Sequence, residues 1–312
     1  MSHPKRFSVF TATYNRASVL PRLYEELKSQ TFKDFEWIIV NDGSSDNTDE
    51  VVNSFIQEDV ISIKYIAKSN GGKHTAWRAA MPYFSGRYVL TADDDDPVTP
   101  DMLEVFDRHW SILENQPDYD DFWEIRTRCK RPDGTLVGKE LPSPWYDSNY
   151  NDICFKQKAS CEMVGCRKNE IVNSIAAVPE VFPYMEHASN FAEGIRWSRA
   201  ARKYKTRFVP EITRIYIEST GGLCDGALSR CMAGDKRMIY NKLVEFYFTL
   251  LERSDLLLRY DKKAYLKNIA GYALLLSLEH PEDRPKLRLR EQILVAIARP
   301  FMKAAIWFNK KV

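Results

Sequence analysis

Residues 88–100 read Tyr-Val-Leu-Thr-Ala-Asp-Asp-Asp-Asp-Pro-Val-Thr-Pro, a short apolar run that stops on four consecutive carboxylates. Tyr88 to Ala92 has the composition of a buried strand, and the apolar spacing after Pro100 predicts a helix to Asn115. Four acids therefore sit where a strand ends and a helix is about to begin. Read backwards, the same rhythm recurs. FSVFTA at 7–12 and FEWIIV at 35–40 are strands, and Val19, Leu20, Leu23 and Leu27 recur at helical spacing between them. Helix 48–57, strand 61–66 and helix 73–81 complete the alternation. Strands alternating with helices imply an α/β fold, a mostly parallel sheet with helices on both faces. Ligands of such sheets bind beyond the carboxyl ends of the strands, so the loops at 13–16, 41–47, 67–72 and 93–97 are the places to look.

Adjacent carboxylates at a strand end repel one another, and a divalent cation or solvent is the natural compensation for Asp93 to Asp96. The plainer alternative is a solvated acidic loop leading into a helix. In the loop after the second strand, Asp46 to Thr48 suits an ordinary helix start, whereas Asp42 lies at the strand edge, where a carboxylate can accept from a base imide or a ribose hydroxyl. Tyr14 can stack on a base or simply pack at a helix entry. Asn70-Gly71-Gly72-Lys73 is a glycine turn feeding a helix N-terminus, a position suited to phosphate oxygens. The chain has neither GxGxxG nor GxxxxGK[ST], which excludes an NAD-type dinucleotide fold and a P-loop.

Beyond residue 118 the pattern changes. Residues 122–130 and 135–141 around Arg131-Pro132-Asp133-Gly134 predict a hairpin, and 142–158 reads as an aromatic loop. Helices are expected at 167–177 and 191–204, with short strands at 207–209 and 213–217. After Gly221-Gly222 the chain reads as all helical, which divides it into 1–225 and a C-terminal helical region, 226–312. The 44% hydrophobic and 28% charged residues exclude a disordered chain, and a net charge of +2 gives no reason to expect nucleic acid as a partner. Charge is unevenly placed: residues 284–312 hold eight basic residues against one acid, Glu291. In that tail Leu294, Ile297, Phe301, Ala305 and Phe308 fall on one helical face, so it either lies on an anionic membrane surface or packs on the protein. Six cysteines without a CxxC pair argue for reduced thiols rather than zinc. With no signal-peptide pattern and no spanning run, the expected location is the cytoplasm, including the inner face of the cell membrane.

Four ordered stretches together resemble family 2 glycosyltransferases of the GT-A (Rossmann-like) fold: FTATYNR at 10–16, IIVNDGSSDNT at 38–48, SNGGKHTA at 69–76 and LTADDDDPVTPDML at 90–103. A thinner likeness continues through 191–209, and the chain resembles bacterial polysaccharide-biosynthesis transferases. The resemblance implies that Thr11, Thr13 and Tyr14 line a nucleotide pocket that Asn70 and Gly72 complete. Asp42 reads uracil, and Lys73 lies near it or the diphosphate. With the register set by Pro100 and Leu103, it makes Asp93 the acid facing ribose, Asp94 the variable middle position and Asp95 the ligand of Mn²⁺ or Mg²⁺. Arg78 departs from the pattern, where many relatives have Asn. Many relatives carry Glu-Asp where this chain reads Glu193-Gly194; Trp197 fits a subset with Glu-Gly, and Glu193 is the candidate base, or else an ordinary helix-start carboxylate. The implied activity is inverting transfer of a sugar from a UDP-sugar to the hydroxyl of a glycan acceptor, free or lipid-linked. A non-catalytic nucleotide-sugar-binding module is the rival reading. A haloacid dehalogenase-type phosphatase is disfavoured, because its nucleophilic Asp follows the first strand.

Overall fold

The computed structural model describes residues 5–138, 145–157, 162–175, 183–184, 187–188, 191–217, 226–279, 281 and 285–309, with the side chains of 305–309 excepted. The chain forms two compact units, residues 1–177 with 200–218, and residues 178–199 with 219–312.

The first unit is built on one mixed sheet. Its strands are β1 (Phe7–Thr13), β2 (Phe35–Asn41), β3 (Ser62–Ala67), β4 (Tyr88–Thr91), β5 (Phe122–Lys130), β6 (Tyr146–Ser148), β7 (Met163–Lys168) and β8 (Lys205–Ile215), in the order β3-β2-β1-β4-β7-β5-β8-β6. The four strands at the β3 end run parallel, as do β5 and β8, while β7 and β6 pair antiparallel with their neighbours. Helices α1 (Leu20–Lys28), α2 (Thr48–Glu58) and α4 (Met102–Glu114) bury Leu23, Phe55 and Trp110 against Phe7, Val9, Trp37 and Leu90. Fully burying each of Leu20, Leu23 and Leu27 contributes ~1.5–3 kcal/mol. Because successive strand residues point to opposite faces, Phe10 instead meets Trp77 of α3 (Lys73–Ala80) at 4.9 Å between ring centroids. Helices therefore cover both faces, as expected.

The middle of the chain departs from expectation. The hairpin's turn forms, with Gly134 N donating to the Arg131 carbonyl at 2.9 Å, and its described return is short, paired by Arg131 N to Thr135 O (2.8 Å), Val137 N to Cys129 O (3.0 Å) and a bridge from Leu136 to Lys130, while residues 139–144 lie outside those described. The flanks of β5 are taken by β7 and β8, so little edge remains for a local partner. Part of the expected loop is strand β6, and Arg167 belongs to β7; the helix after it, α5, spans only Asn169–Asn173. The two short strands expected at 207–217 are one strand, β8, which passes through Pro210. The register jumps there: Phe208 faces Arg126 and Ile212 faces Arg128. A bulge of this kind hosts proline, which has no N–H for the ladder.

β5 also buries charge. Glu124, fully buried, accepts from Arg126 Nε and Arg167 Nε, each at 2.8 Å, and from the Thr206 hydroxyl at 3.3 Å. Gly165 makes room for this cluster, since a Cβ there would lie 2.4 Å from Glu124 Oε1.

The second unit is helical where it is described. Following α6 (Glu193–Ala200), it holds α7 (Ala227–Met232), α8 (Lys236–Glu252), α9 (Ser254–Tyr260), α10 (Lys262–Leu278) and α11 (Leu289–Asn309). Asp235 and Asp261 cap α8 and α10, accepting from Met238 N and Ala264 N. Arg199 clamps Glu252, and Arg253 donates to the Gly194 carbonyl, tying α6 to the segment around the end of α8. In α11 the apolar stripe is displaced from the expected one: Ile297 and Phe301 are exposed together with Leu289 and Ile293, while Leu294 is half-buried. The side chains of Ala305 and Phe308 lie outside the described set.

Candidate active site

The four loops singled out above follow β1, β2, β3 and β4 at the same edge of the parallel sheet, and hydrogen bonds join them to one another. Asn15, held at φ 53°, donates its N–H to Ser44 Oγ at 2.9 Å and accepts from Ser45 N at 2.7 Å. Asp46 accepts from Ala17 N at 3.0 Å; bonds from the Thr48 hydroxyl and from Ala17 N hold its carboxyl below the ordinary carboxylate range. The second and third loops meet at Gly43 (φ +81°), where a Cβ would stand 2.6 Å from Asn70 N.

Asp42 is buried at the centre of that junction. Its carboxylate accepts from Lys68 Nζ at 2.5 Å, Gly71 N at 3.0 Å and Gly72 N at 2.6 Å, while Asn70 Nδ2 donates to its carbonyl at 2.9 Å. Asp42, Asn70 and Gly72, expected to act together, are thus in contact. Gly72 is the N-cap of α3 with φ 87°, and Lys73 is that helix's first residue, its ammonium 2.7 Å from Asp93. This bond links the glycine turn to the acid run.

Three basic side chains answer the repulsion among the four aspartates. Lys73 holds Asp93, Arg16 reaches both Asp94 (3.0 Å) and Asp95 (2.7 Å), and Arg214 holds Asp96 (3.0 Å). Asp94 is buried and also accepts from the Thr13 hydroxyl at 2.9 Å; loss of solvent pushes its carboxyl up to about 6 despite Arg16. Burial works upward on Asp95 as well, but the Arg16 hydrogen bond and charge win and hold it below the usual range. Arg214 reaches the loop from the end of β8, which is stitched to the exit of the acid run by Thr99 N to Thr213 O (2.9 Å) and Ile215 N to Pro97 O (2.8 Å).

Thr11 and Tyr14 are placed differently from one another. Thr11 is fully buried within the sheet, its hydroxyl accepting from Trp37 Nε1 at 2.9 Å and donating to the Ala92 carbonyl at 2.7 Å. Tyr14 is about half exposed at the loop. Glu193 opens α6 in the second unit, with Arg196 Nη2 3.4 Å from its carboxylate. Sequence reading missed Arg16, Lys68 and Arg214. The first two had a signal, a basic residue within a loop that follows a strand. Arg214 had none, being more than a hundred residues from the acid it holds.

A divalent cation such as Mg²⁺ or Mn²⁺ needs only one or two protein carboxylates when phosphate and water complete its shell. Among the described residues no group of three or more His, Cys, Asp or Glu side chains is arranged to cage an ion. The half-exposed carboxylate of Asp95, a hard oxygen donor beside two further acids, fits the first kind of site.

Residues 8–126 match the model of a family described as Glycosyl transferase family 2. Chondroitin synthase of Pasteurella multocida is 36% identical over 98 residues, 31% of this chain and 10% of that protein. A GalNAc(5)-diNAcBac-PP-undecaprenol beta-1,3-glucosyltransferase of Campylobacter jejuni is 36% identical over 102 residues, 32% of this chain and 33% of that one. The matched segment thus spans a tenth to a third of these relatives. Among solved structures, S. aureus TarS 1-349 in complex with UDP-GlcNAc superposes with a TM-score of 0.57 at 16% identity, covering 95% of this chain and 80% of that one. A mannosyltransferase from Pyrobaculum calidifontis in complex with GDP-Man and Mn²⁺ gives 0.55 at 14% identity, covering 98% and 86%. The family resemblance carried by the four loops is borne out, and the fold is GT-A.

Proposed function

We propose that this chain, a GT-A fold whose residues 8–126 carry the family 2 pattern, transfers a sugar with inversion from a UDP-sugar to an acceptor hydroxyl during assembly of a bacterial surface glycan. The observation that carries the reading is the joining of the four strand-end loops: Asp42 gathers the glycine turn, and Lys73, at the head of α3, reaches Asp93. Nucleotide-sugars are bound by the two structural neighbours, as UDP-GlcNAc and GDP-Man.

In this reading Tyr14 offers an exposed ring to the base and Asp42 accepts from its imide. Asp93 faces the ribose. The N-terminal end of α3 and the Lys73 ammonium receive the diphosphate, where a helix N-terminus favours negative charge. Asp95 holds Mn²⁺ or Mg²⁺, with Asp94 fixing the loop from beneath. When bound, that cation offsets the charge that builds on the leaving diphosphate. The acceptor oxygen forms its bond to the anomeric carbon as the bond from that carbon to the phosphate oxygen breaks. The acceptor's proton passes to Glu193, a general-base contribution of ~10²–10⁴ in rate.

The acceptor is a glycan, free or lipid-linked, and the site of action is the cytoplasmic face of the membrane. Among the described residues, no helix is long and apolar enough to cross a membrane. The test is a screen of UDP-sugars and GDP-sugars with Mn²⁺ by thermal shift, followed by turnover with and without candidate acceptors. A Mn²⁺-dependent shift with one UDP-sugar and transfer from it is expected. A shift without turnover on any acceptor favours the binding module instead, and no shift with any donor refutes both.

A further inference from the structure

Among the described side chains of α11, the acid faces inward and four large apolar residues face outward. Glu291 is fully buried and accepts from the Tyr265 hydroxyl at 3.0 Å and from Arg290 at 2.6 Å. One turn on, Val295 is buried as well, and Arg299 donates to the Leu276 carbonyl of α10 at 3.3 Å. Together these contacts fix the helix's rotation. The opposite side presents Leu289, Ile293, Ile297 and Phe301, which are 72%, 51%, 56% and 67% exposed. Residues four apart drift slowly around a helix, so the four make one continuous oblique stripe, and Pro300 and Ala304 lie exposed beside it.

Exposed basic residues stand near the two ends of the stripe, most of them at its head. Lys286, Arg288, Arg290 and Lys303 are exposed, and the one acid between residues 285 and 304 is the buried Glu291. An apolar stripe with exposed cations near both ends, and no exposed acid among residues 285–304, matches the layering of an anionic bilayer surface, with acyl chains below and negative headgroups above. Long basic side chains can extend to headgroups while their stems cover apolar surface. A second copy of the chain is a poorer match, because pairing two such faces sets like charges against each other along the seam.

We propose that this face of α11 docks in the plane of an anionic lipid surface, with Leu289, Ile293, Ile297 and Phe301 in the acyl boundary and the basic residues among the headgroups. The inference goes beyond the sugar-transfer reading and does not depend on it, since lipid binding is measured without donor or acceptor.

The experiment is flotation of the full chain with vesicles of phosphatidylcholine containing phosphatidylglycerol, and with phosphatidylcholine alone. The expected result is co-flotation with the anionic vesicles, reduced on neutral vesicles and by added salt. Ile293→Ser with Phe301→Ser should lower the bound fraction by about tenfold or more. Lys286→Gln with Lys303→Gln should lower it on anionic vesicles only. All four substitutions are at exposed positions, and thermal unfolding identical to wild type verifies that each variant is folded. Wild-type protein that stays with the unfloated fraction, or an apolar variant that floats as well as wild type, overturns the proposal. So does light scattering that shows a dimer dissolved by the Ile293 and Phe301 changes, which assigns the face to a second copy.

Discussion

Asp94 and Asp95 are adjacent, yet the structure sets them up to fail in different ways. Asp94→Ala removes a buried acceptor from the Thr13 hydroxyl and from Arg16, at 2.9 and 3.0 Å. A stranded buried hydroxyl costs ~1–3 kcal/mol, and part of this is offset because the folded state no longer buries a carboxylate. A net loss of about 1–2 kcal/mol is expected. Asp95→Ala removes one half-exposed ion pair, worth at most ~1 kcal/mol. Binding should rank the other way. Metal-dependent UDP affinity should vanish in Asp95→Ala and survive, weakened, in Asp94→Ala. Urea unfolding reads the first quantity, and calorimetric titration of UDP with and without Mn²⁺ reads the second. The pH dependence gives an independent check on Asp94. Its folded carboxyl titrates at about 6, above the ~3.9 of an unfolded chain. Its contribution is therefore fully present below about pH 4 and is lost as pH rises through about 6. Asp94→Asn, which does not titrate, should gain on wild type across that window. Equal UDP losses in the two alanine variants, or a larger stability loss in Asp95→Ala, would refute this division of labour.

Three further outcomes are expected. Glu193→Gln should retain UDP affinity within a few fold while turnover on the true acceptor falls by ~10² or more; near-normal turnover removes Glu193 as base. Glu124→Leu should destabilise the first unit by about 3–5 kcal/mol in urea unfolding, since it leaves Arg126 and Arg167 without a buried carboxylate, and a loss under ~1 kcal/mol would contradict the cluster's importance. Burial pushes the Cys166 thiol up to about 12 and raises that of Cys129, whereas Cys154 is partly exposed. Iodoacetamide on native protein, mapped by peptide mass, should mark Cys154 about 10² times faster than Cys166; comparable labelling would show that the sheet opens readily.

The first half of the fold is legible because its signals are local. β1 to β4 are apolar runs followed by turn residues, and α1, α2 and α4 carry apolar stripes at helical spacing. Beyond residue 118 the determinants are long-range. Strand β7, Met-Val-Gly-Cys-Arg-Lys, contains charge and glycine because Gly165 and Arg167 build the buried pocket around Glu124, so neither alternation nor β-branching marks it as a strand. Pro210 breaks a pattern that the bulge opposite β5 repairs. At the site, the loops and their acids were readable, but not which cation each acid would meet. The burial of Thr11 between Trp37 and Ala92 depends on strand neighbours far apart in the chain.

The closure of Asp42 on its own glycine turn has a calorimetric consequence. Its Oδ1 already accepts from Lys68 and Gly71 and its Oδ2 from Gly72 alone, so a base imide would share Oδ2 with Gly72, and its arrival adds a bond, with release of heat, rather than displacing one. Discrimination among bases would then come from what an ill-fitting one leaves unpaired. The Gly72 amide shares that oxygen, and its nuclear magnetic resonance shift would report occupancy of the base subsite directly, whatever sugar the nucleotide carries.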